Sequence, residues 1–380
     1  MTEWKEYKFS DFVEINPSVK IPKGIPVSFV EMKDLDSSVR YCESSQKKEL
    51  TGGSRFINGD TLFARITPCM ENGKICQVRN LENGFGFGST EFHILRGKDG
   101  VSDCDFVYYL SRWDEVRDHA EHNMEGSSGR QRVPKQAFDN LYLSLPPLET
   151  QRRIAAILSS LDDKIDLLHR ENATLEQMAE TLFRQWFVVE AKEEWEERPL
   201  SSIATFLNGL ACQKYPPKNE IDKLPVLKIR ELSSGIGNDS DWATTDVGSE
   251  YIVHAGDVIF AWSASLMVRI WNGEDCILNQ HLFKVTSEKY PKWFYYFWCK
   301  HHLDEFISIA QSHATTMGHI KRNDLDTAIV LVPSDEELLI MTEKMDGLLQ
   351  KMENNNKQIQ TLIQTRDGLL PKLMSGEVKI

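Results

Sequence analysis

Two long stretches of the chain place apolar residues in alternating steps of four and three. In the first, Ile154, Leu158, Leu161, Ile165, Leu168, Asn172, Leu175, Ala179, Leu182 and Trp186 keep that rhythm. In the second, Leu338, Met341, Met345, Leu348, Met352, Asn355, Ile359, Leu362, Arg366, Leu369 and Leu373 do the same. The spacing predicts two long helices, each with a heptad seam sustained over about five heptads. Ser334 and Glu337 predict a capping box at the start of the second. Pro371 should perturb its last turns, and Gly376 should close it. Neither helix can bury its seam alone, so the simplest expectation is that the two pair antiparallel as a spacer between two globular units. Asn172 and Asn355 fall on the seams, where a polar residue costs stability but fixes register. Packing of each helix on its own unit, or pairing between molecules, are the alternatives.

Outside the helices the pattern is mixed and repeated. Short β-rich runs at residues 61–66, 257–262 and 282–286 are broken by Gly, Asn and Asp. Helical stretches are expected over residues 106–122 and 293–312, followed by apolar runs at 141–145 and 328–332 that meet Pro146-Pro147 and Pro333. DFVYYL (residues 105–110) matches KWFYYF (292–297), with Tyr295 lying 187 positions after Tyr108; the same offset relates Pro146 to Pro333. NGDTLF (58–63) resembles AGDVIF (255–260) at an offset of 197. Two copies of one unit therefore fill the chain, with ten residues of length difference between these landmarks. The fold class is α+β: two tandem mixed α/β domains, residues 1–147 and 191–332, separated by two long helices, 148–190 and 333–380. The helices pair as an antiparallel coiled coil, and the whole is a pseudo-twofold internal repeat.

Composition narrows the function classes. Of 380 residues, 41% are apolar and 27% charged, which is ordinary globular usage and excludes wholesale disorder. No apolar run approaches the roughly 20 residues that span a bilayer, and the polar first ten residues give no secretory signal, so a soluble protein of the cytoplasm is expected. Seven scattered cysteines without a CxxC pair read as reduced thiols rather than a metal site. Gly84-Phe-Gly-Phe-Gly88 matches neither a dinucleotide nor a P-loop fingerprint and reads as a glycine-rich strand connection. Asn16-Pro17 continues as Ser18-Val19, unlike the adenine-methyltransferase motif, and reads as a turn. His301-His302 read as satisfied histidines. No catalytic constellation emerges, so the chain is expected to be non-catalytic and to bind no metal.

Two loops at matching places in the copies carry the better signal. GSSGRQR (126–132) and ATTMGHIKR (314–322) combine small hydroxyl residues, glycine and cations, which suits phosphates, while Arg and Gln can also read base edges. A solvated loop without function is the rival for either copy alone; recurrence favours binding. The net charge of −13 argues the other way, and it is spread evenly: −3, −3, −5 and −2 over residues 1–147, 148–190, 191–332 and 333–380. No region is basic, so DNA contacts must use local patches and a partner must supply much of the phosphate binding.

FARITPCMENGK (63–74) with GFGSTEFH (86–93), and FAWSASL (260–266) with ILNQHLFKV (277–285), resemble the target-recognition domains of type I restriction–modification specificity subunits. PPLETQ (146–151) resembles that family's central conserved region and LLPKLMSGEV (369–378) its C-terminal counterpart. The resemblance covers essentially the whole chain in the family's order; only VPSDEE (332–337) departs from the Pro-Pro and Glu-Gln form. It implies a non-catalytic subunit that binds double-stranded DNA, each domain reading one half of a bipartite target. The helices would set the gap and dock two methyltransferase subunits, which use S-adenosylmethionine. ATP-dependent restriction and translocation subunits would join them. The chain itself would bind no cofactor, with S-adenosylmethionine, ATP and Mg on the partners, and would contact no membrane. By residue type and motif position, Arg65, Lys74, Thr90, Ser127, Ser128, Arg130, Gln131 and Arg132 are candidates for one half-site. Lys228, Arg230, Arg269, Gln280, Thr315, Thr316, His319 and Lys321 are candidates for the other. The alternative is a non-enzymatic coiled-coil adaptor that does not bind DNA, which failure to associate with a methyltransferase would favour.

Overall fold

The computed structural model describes residues 4–22, 24–127, 129–237, 239–312 and 318–380. The chain forms two units, one up to His169 with Gln358–Ile380, the other Arg170–Lys357. Both long helices contribute a segment to each.

In the first unit a five-stranded sheet runs Val13–Ile15, Phe92–Gly97, Thr61–Ala64, Ile75–Val78, Tyr41–Cys42, antiparallel except at the last pair. A four-stranded sheet runs Gln46–Glu49, Pro26–Val30, Phe85–Gly88, Ser54–Ile57, its central pair parallel. Lys5–Lys8 pairs antiparallel with Tyr142–Leu145, Lys5 opposite Leu145, so the ends of the domain close on each other just before the long helix. The second unit repeats this order. Thr205–Asn208, Leu282–Thr286, Val258–Ala261 and Met267–Ile270 form one sheet; Trp242–Thr244, Lys223–Leu227, Cys276–Leu278 and Ile252–Val253 form the other, again with a parallel central pair. Glu196–Pro199 pairs with Ile329–Val332. The first unit's larger sheet differs only by its additional parallel edge, Tyr41–Cys42.

Each expected helical stretch is two helices. Asp103 caps Cys104–Arg112 by accepting from the Asp105 and Phe106 amides, both at 3.0 Å. The chain then turns extended at Trp113 (ψ 134°), and Asp114 and Glu115 open Asp114–His122 in the first turn favoured by acidic side chains. In the second unit Lys292–His301 and Leu303–Ser312 are joined through His302. The glycine-rich run is itself a central strand. A Cβ at Gly86 would lie 2.9 Å from the Ser28 carbonyl oxygen, and one at Gly88 2.4 Å from that of Val30, so the parallel neighbour leaves room only for glycine.

The long helices are Leu148–Arg184, 37 residues continued by a π-helical turn, and Asp335–Met374, 40 residues. The second opens with the expected capping box: the Glu337 amide donates to Ser334 Oγ at 3.3 Å and the Ser334 amide to Glu337 Oε2 at 3.1 Å. Pro371 stands inside the last turn without ending it; the helix stops at Met374, before Gly376 at φ 74°. No residue of either seam is exposed. In the first unit Ile165 and Leu168 pack on Ile359, flanked by Leu362 and Ile363. In the second, Asn355 donates to Asn172 Oδ1 (2.9 Å) and Glu171 (3.1 Å), while Asn172 donates to Asn356 (2.7 Å). One helix number rises as the other falls: the pairing is antiparallel. Each seam asparagine's amino group thus has an acceptor across the pair, which offsets the cost of burying it and makes other registers unfavourable.

Two polar clusters fasten the sheets to these helices. In the first unit Asp162, 2% exposed, accepts from Arg366 (2.7 Å) and from the Tyr109 hydroxyl (2.6 Å). Buried Arg40 donates twice to Gln77 Oε1 (3.0 and 2.8 Å), pairs with Asp105 and meets Ser159. In the second, Trp293 to Cys299 are all buried, and that helix reaches the long pair through Trp293 to Thr342 (3.0 Å) and Tyr296 to Glu176 (2.8 Å). Among the described residues no helix is long and apolar enough to cross a membrane.

Candidate nucleic-acid interface

In each unit the candidate loop joins the end of a central strand by the same three contacts. In the first, the Val133 amide donates to the Arg65 carbonyl (2.8 Å), the Thr67 amide to that of Gln131 (3.0 Å), and Ile66 bridges Arg132. In the second, Ile320 donates to Trp262 (3.1 Å), Ala264 to Gly318 (2.9 Å), and Ser263 bridges His319. Ser263 lies 197 positions after Ile66 and His319 187 after Arg132, the two offsets of the sequence repeat. Arg132 and His319 are thus equivalent, as are Arg65 and Trp262. The Arg65 amide donates to the Glu91 carbonyl (3.0 Å) and the Trp262 amide to that of His281 (3.3 Å), which makes Glu91 and His281, and with them Thr90 and Gln280, equivalent. One backbone frame carries two different side-chain sets.

In the first unit that set is a carboxylate between guanidiniums. Arg132 Nε lies 3.0 and 2.9 Å from the two Glu91 oxygens and its Nη2 2.9 Å from Oε1, while Arg65 Nε stands 3.9 Å from Oε2. Hydrogen bonding by Glu91, then its charge, raises the Arg132 pKa, so the cation persists at any working pH. Arg130 and Ser127 are exposed beside it; the Arg130 amide donates to the Ser127 carbonyl (3.0 Å). Gly126 and Gly129 take the positive φ values, 121° and 77°, that the turn requires. Thr90, Arg65 and Arg55 line a concavity of about 250 Å³ with Asn16, Ser18 and Gly53. Gln131 is half-buried on the ladder; Ser128 lies outside the described residues. Lys74 is placed elsewhere, its Nζ donating to the Met32 carbonyl at 3.0 Å.

Beneath this cluster His93, 1% exposed, donates from Nε2 to the Val133 carbonyl (2.8 Å) and accepts at Nδ1 from Asn16 (3.2 Å), whose φ of 56° makes the expected turn. Burial, partly opposed by the Val133 bond, lowers its pKa to about 4. An unfolded imidazole titrates near 6.5, so between those values the unfolded chain holds the extra proton and acid favours it. The first unit should lose about 2 kcal/mol between pH 7 and pH 5 through this group and show no dependence on it above pH 7. Urea unfolding at the two pH values checks this, with His93→Gln expected to remove that part of the difference.

In the second unit the set is aromatic and amide. Trp262 stacks on Phe283 (centroids 5.6 Å), stands 6.0 Å from His281 and 6.2 Å from His319, and donates from Nε1 to Asn208 Oδ1 (3.1 Å). Ser263 Oγ meets His281 Nδ1 at 3.0 Å, and Gln280 accepts from Asn279 (2.8 Å). Gly209 is held against Asn279, whose carbonyl oxygen would lie 2.3 Å from a Cβ. Exposed Lys321 follows His319, its amide donating to Asp324 (2.7 Å). Thr315 and Thr316 lie outside the described residues. Three predicted cations have other neighbours. Lys228 pairs with Asp241, and Arg230 with Glu231 and Asp239 (both 2.6 Å). Arg269 lines a separate cavity of about 440 Å³ with Glu176, Lys292 and Lys300. Conversely, Arg55, Glu91, Asn208, Trp262, Ser263 and His281 belong to the two clusters although none is a candidate by sequence; Glu91, Trp262, Ser263 and His281 lie within the quoted motifs, and the folded contacts pick them out. Among the described residues no group of His, Cys, Asp and Glu could hold a metal ion.

Comparison with known proteins shows the family. The model of the type I restriction modification DNA specificity domain matches residues 1–177 and again 192–364. The type I restriction enzyme HindI specificity subunit of Haemophilus influenzae is 23% identical, with all of both chains covered. The MjaIX specificity subunit of Methanocaldococcus jannaschii is 25% identical over all of this chain and 94% of its own. A solved structure of the type I restriction-modification S subunit from M. genitalium covers 98% of this chain and 96% of its own, at 15% identity and a TM-score of 0.49. With two successive domain matches over most of its length, the chain belongs to the type I restriction–modification DNA specificity family.

Proposed function

We propose that this chain is the non-catalytic, DNA-reading subunit of a type I restriction–modification complex, each unit reading one half of a bipartite target. The observation that carries the reading is the equivalence of the two loop–strand clusters: the same backbone ladder presents Arg65, Glu91 and Arg132 in one unit and Trp262, His281 and His319 in the other. A shared frame with exchanged side chains is what two different half-sites require, because base edges are told apart by donor and acceptor pattern. Methyltransferase subunits would dock on the helices and supply S-adenosylmethionine chemistry, with ATP and Mg used by restriction subunits. The helices would set the gap between half-sites. With a net charge of −13 and the cations Lys228, Arg230 and Arg132 paired to carboxylates, counterion release offers the isolated chain little affinity.

Co-expression with cognate methyltransferase subunits tests this. The chain should co-purify with two of them, and the complex should bind its target roughly a thousandfold or more tighter than random duplex, whereas the chain alone should show little preference. Failure to associate, or a complex without sequence preference, would contradict the reading and favour an adaptor.

A further inference from the structure

Resting on that reading, we propose that Glu91 is a positioning residue that presents Arg132 to a guanine in the half-site of the first unit. The argument starts from the guanidinium's five N–H groups. Nε and one hydrogen of Nη2 are committed to Glu91, and one of Nη1 to the Arg130 carbonyl at 3.3 Å. Two remain, one on each terminal nitrogen, on a side chain that is 41% exposed. Paired terminal N–H groups match the O6 and N7 acceptors of guanine in the major groove; adenine offers a donor where guanine has O6 and is rejected. An arginine already held in its reading rotamer loses less freedom on binding than a mobile one, so the carboxylate strengthens discrimination without touching a base.

Location agrees with this role. The loop that carries Arg132 is fixed to the strand end by the Val133 and Thr67 amide bonds, so the fork stands on the sheet rather than on a free loop. Arg55, Arg65 and Thr90 line the adjoining concavity, where phosphates flanking the base would sit. Among the described residues the second unit has no guanidinium–carboxylate pair at the equivalent place; His319 and His281 stand there. Its half-site is therefore an internal control.

The test uses the methyltransferase complex and duplex competitors in which each base pair of the target is replaced in turn. The wild-type complex should prefer guanine at one position of the first half-site by roughly tenfold to a hundredfold. Arg132→Lys, which keeps the charge and loses the fork, should bring that preference below about threefold while every second-half-site preference stays within about twofold of wild type. Glu91→Gln should weaken the same position and no other. Unchanged discrimination in Arg132→Lys, or an equal loss for all duplexes, would overturn the assignment of Arg132. Glu91→Gln that discriminates like wild type would overturn the positioning role. A wild-type complex that prefers no sequence would instead overturn the underlying reading.

Discussion

Replacing Asp162 with alanine should destabilise the first unit by about 3–5 kcal/mol. Asp162 and Arg366 are 2% and 3% exposed, and the carboxylate accepts from both Arg366 and Tyr109. Removing it leaves a guanidinium inside the protein with only Asp367, half out in solvent, at 2.9 Å. Burial disfavours the charged form of Arg366, and Asp162 is the first influence that offsets this. The alternative of moving the cation to water would open the packing of Ile165, Leu168 and Ile359. Asp162→Asn, which keeps the shape and loses the charge, should fall between alanine and wild type. The double variant Asp162→Leu with Arg366→Met should recover most of the loss, because an apolar pair of similar volume costs far less than one orphaned charge. Hydrogen exchange gives a readout specific to the unit. Amides of residues 158–168 and 359–370 should exchange roughly a hundredfold faster or more in the alanine variant, while those of Val258–Ala261 keep their protection. Wild-type protection in the first unit would show that the pair stabilises nothing.

Much of this architecture is legible in the amino-acid order because it depends on short-range period. The four-and-three spacing marks both long helices, and the seam asparagines meet each other across the pair. The repeat offsets of 187 and 197 reappear in the bridges Ile66 to Arg132 and Ser263 to His319. What depends on distant pairing is not legible. Arg366 stands out as a charge on an apolar seam, yet its partner Asp162 lies 204 positions earlier, beside Leu161 and off that seam. Lys228 and Arg230 stand out by residue type alone, whereas the carboxylates that pair with them in the fold, Asp241 with the first and Glu231 and Asp239 with the second, follow from no period in the sequence. Glu91 and His281 become equivalent only through the register of Phe92 on Ala64 and Leu282 on Ala261. Trp113 ends its helix in a stretch whose composition is helical on both sides. The glycines at 86 and 88 look like a loop until a parallel neighbour is seen to exclude every Cβ.

The division of labour between the units predicts the other large effect. Residues 1–147 contain both strands of the Lys5–Lys8 and Tyr142–Leu145 pair and the whole Arg65, Glu91 and Arg132 cluster, so an exchange ending at Pro147 carries the first reading surface as one piece. The replacement must bring its own counterparts of Tyr109 and Arg40, which meet Asp162 and Ser159 on the retained helix. It must also cover Leu370, Leu373 and Met374. The second cluster is untouched by the exchange. Specific and non-specific DNA affinities in such systems differ by roughly a thousandfold or more, so a switched half-site should be all or none in methylated DNA rather than a mixture. The deciding measurement is a genome-wide map of DNA methylation in cells that express the methyltransferase with either the native chain or the chimera carrying residues 1–147 of another family member. One half-site should change to the donor's sequence, with the other half-site and the gap retained; a change in both half-sites, or in neither, would contradict the account.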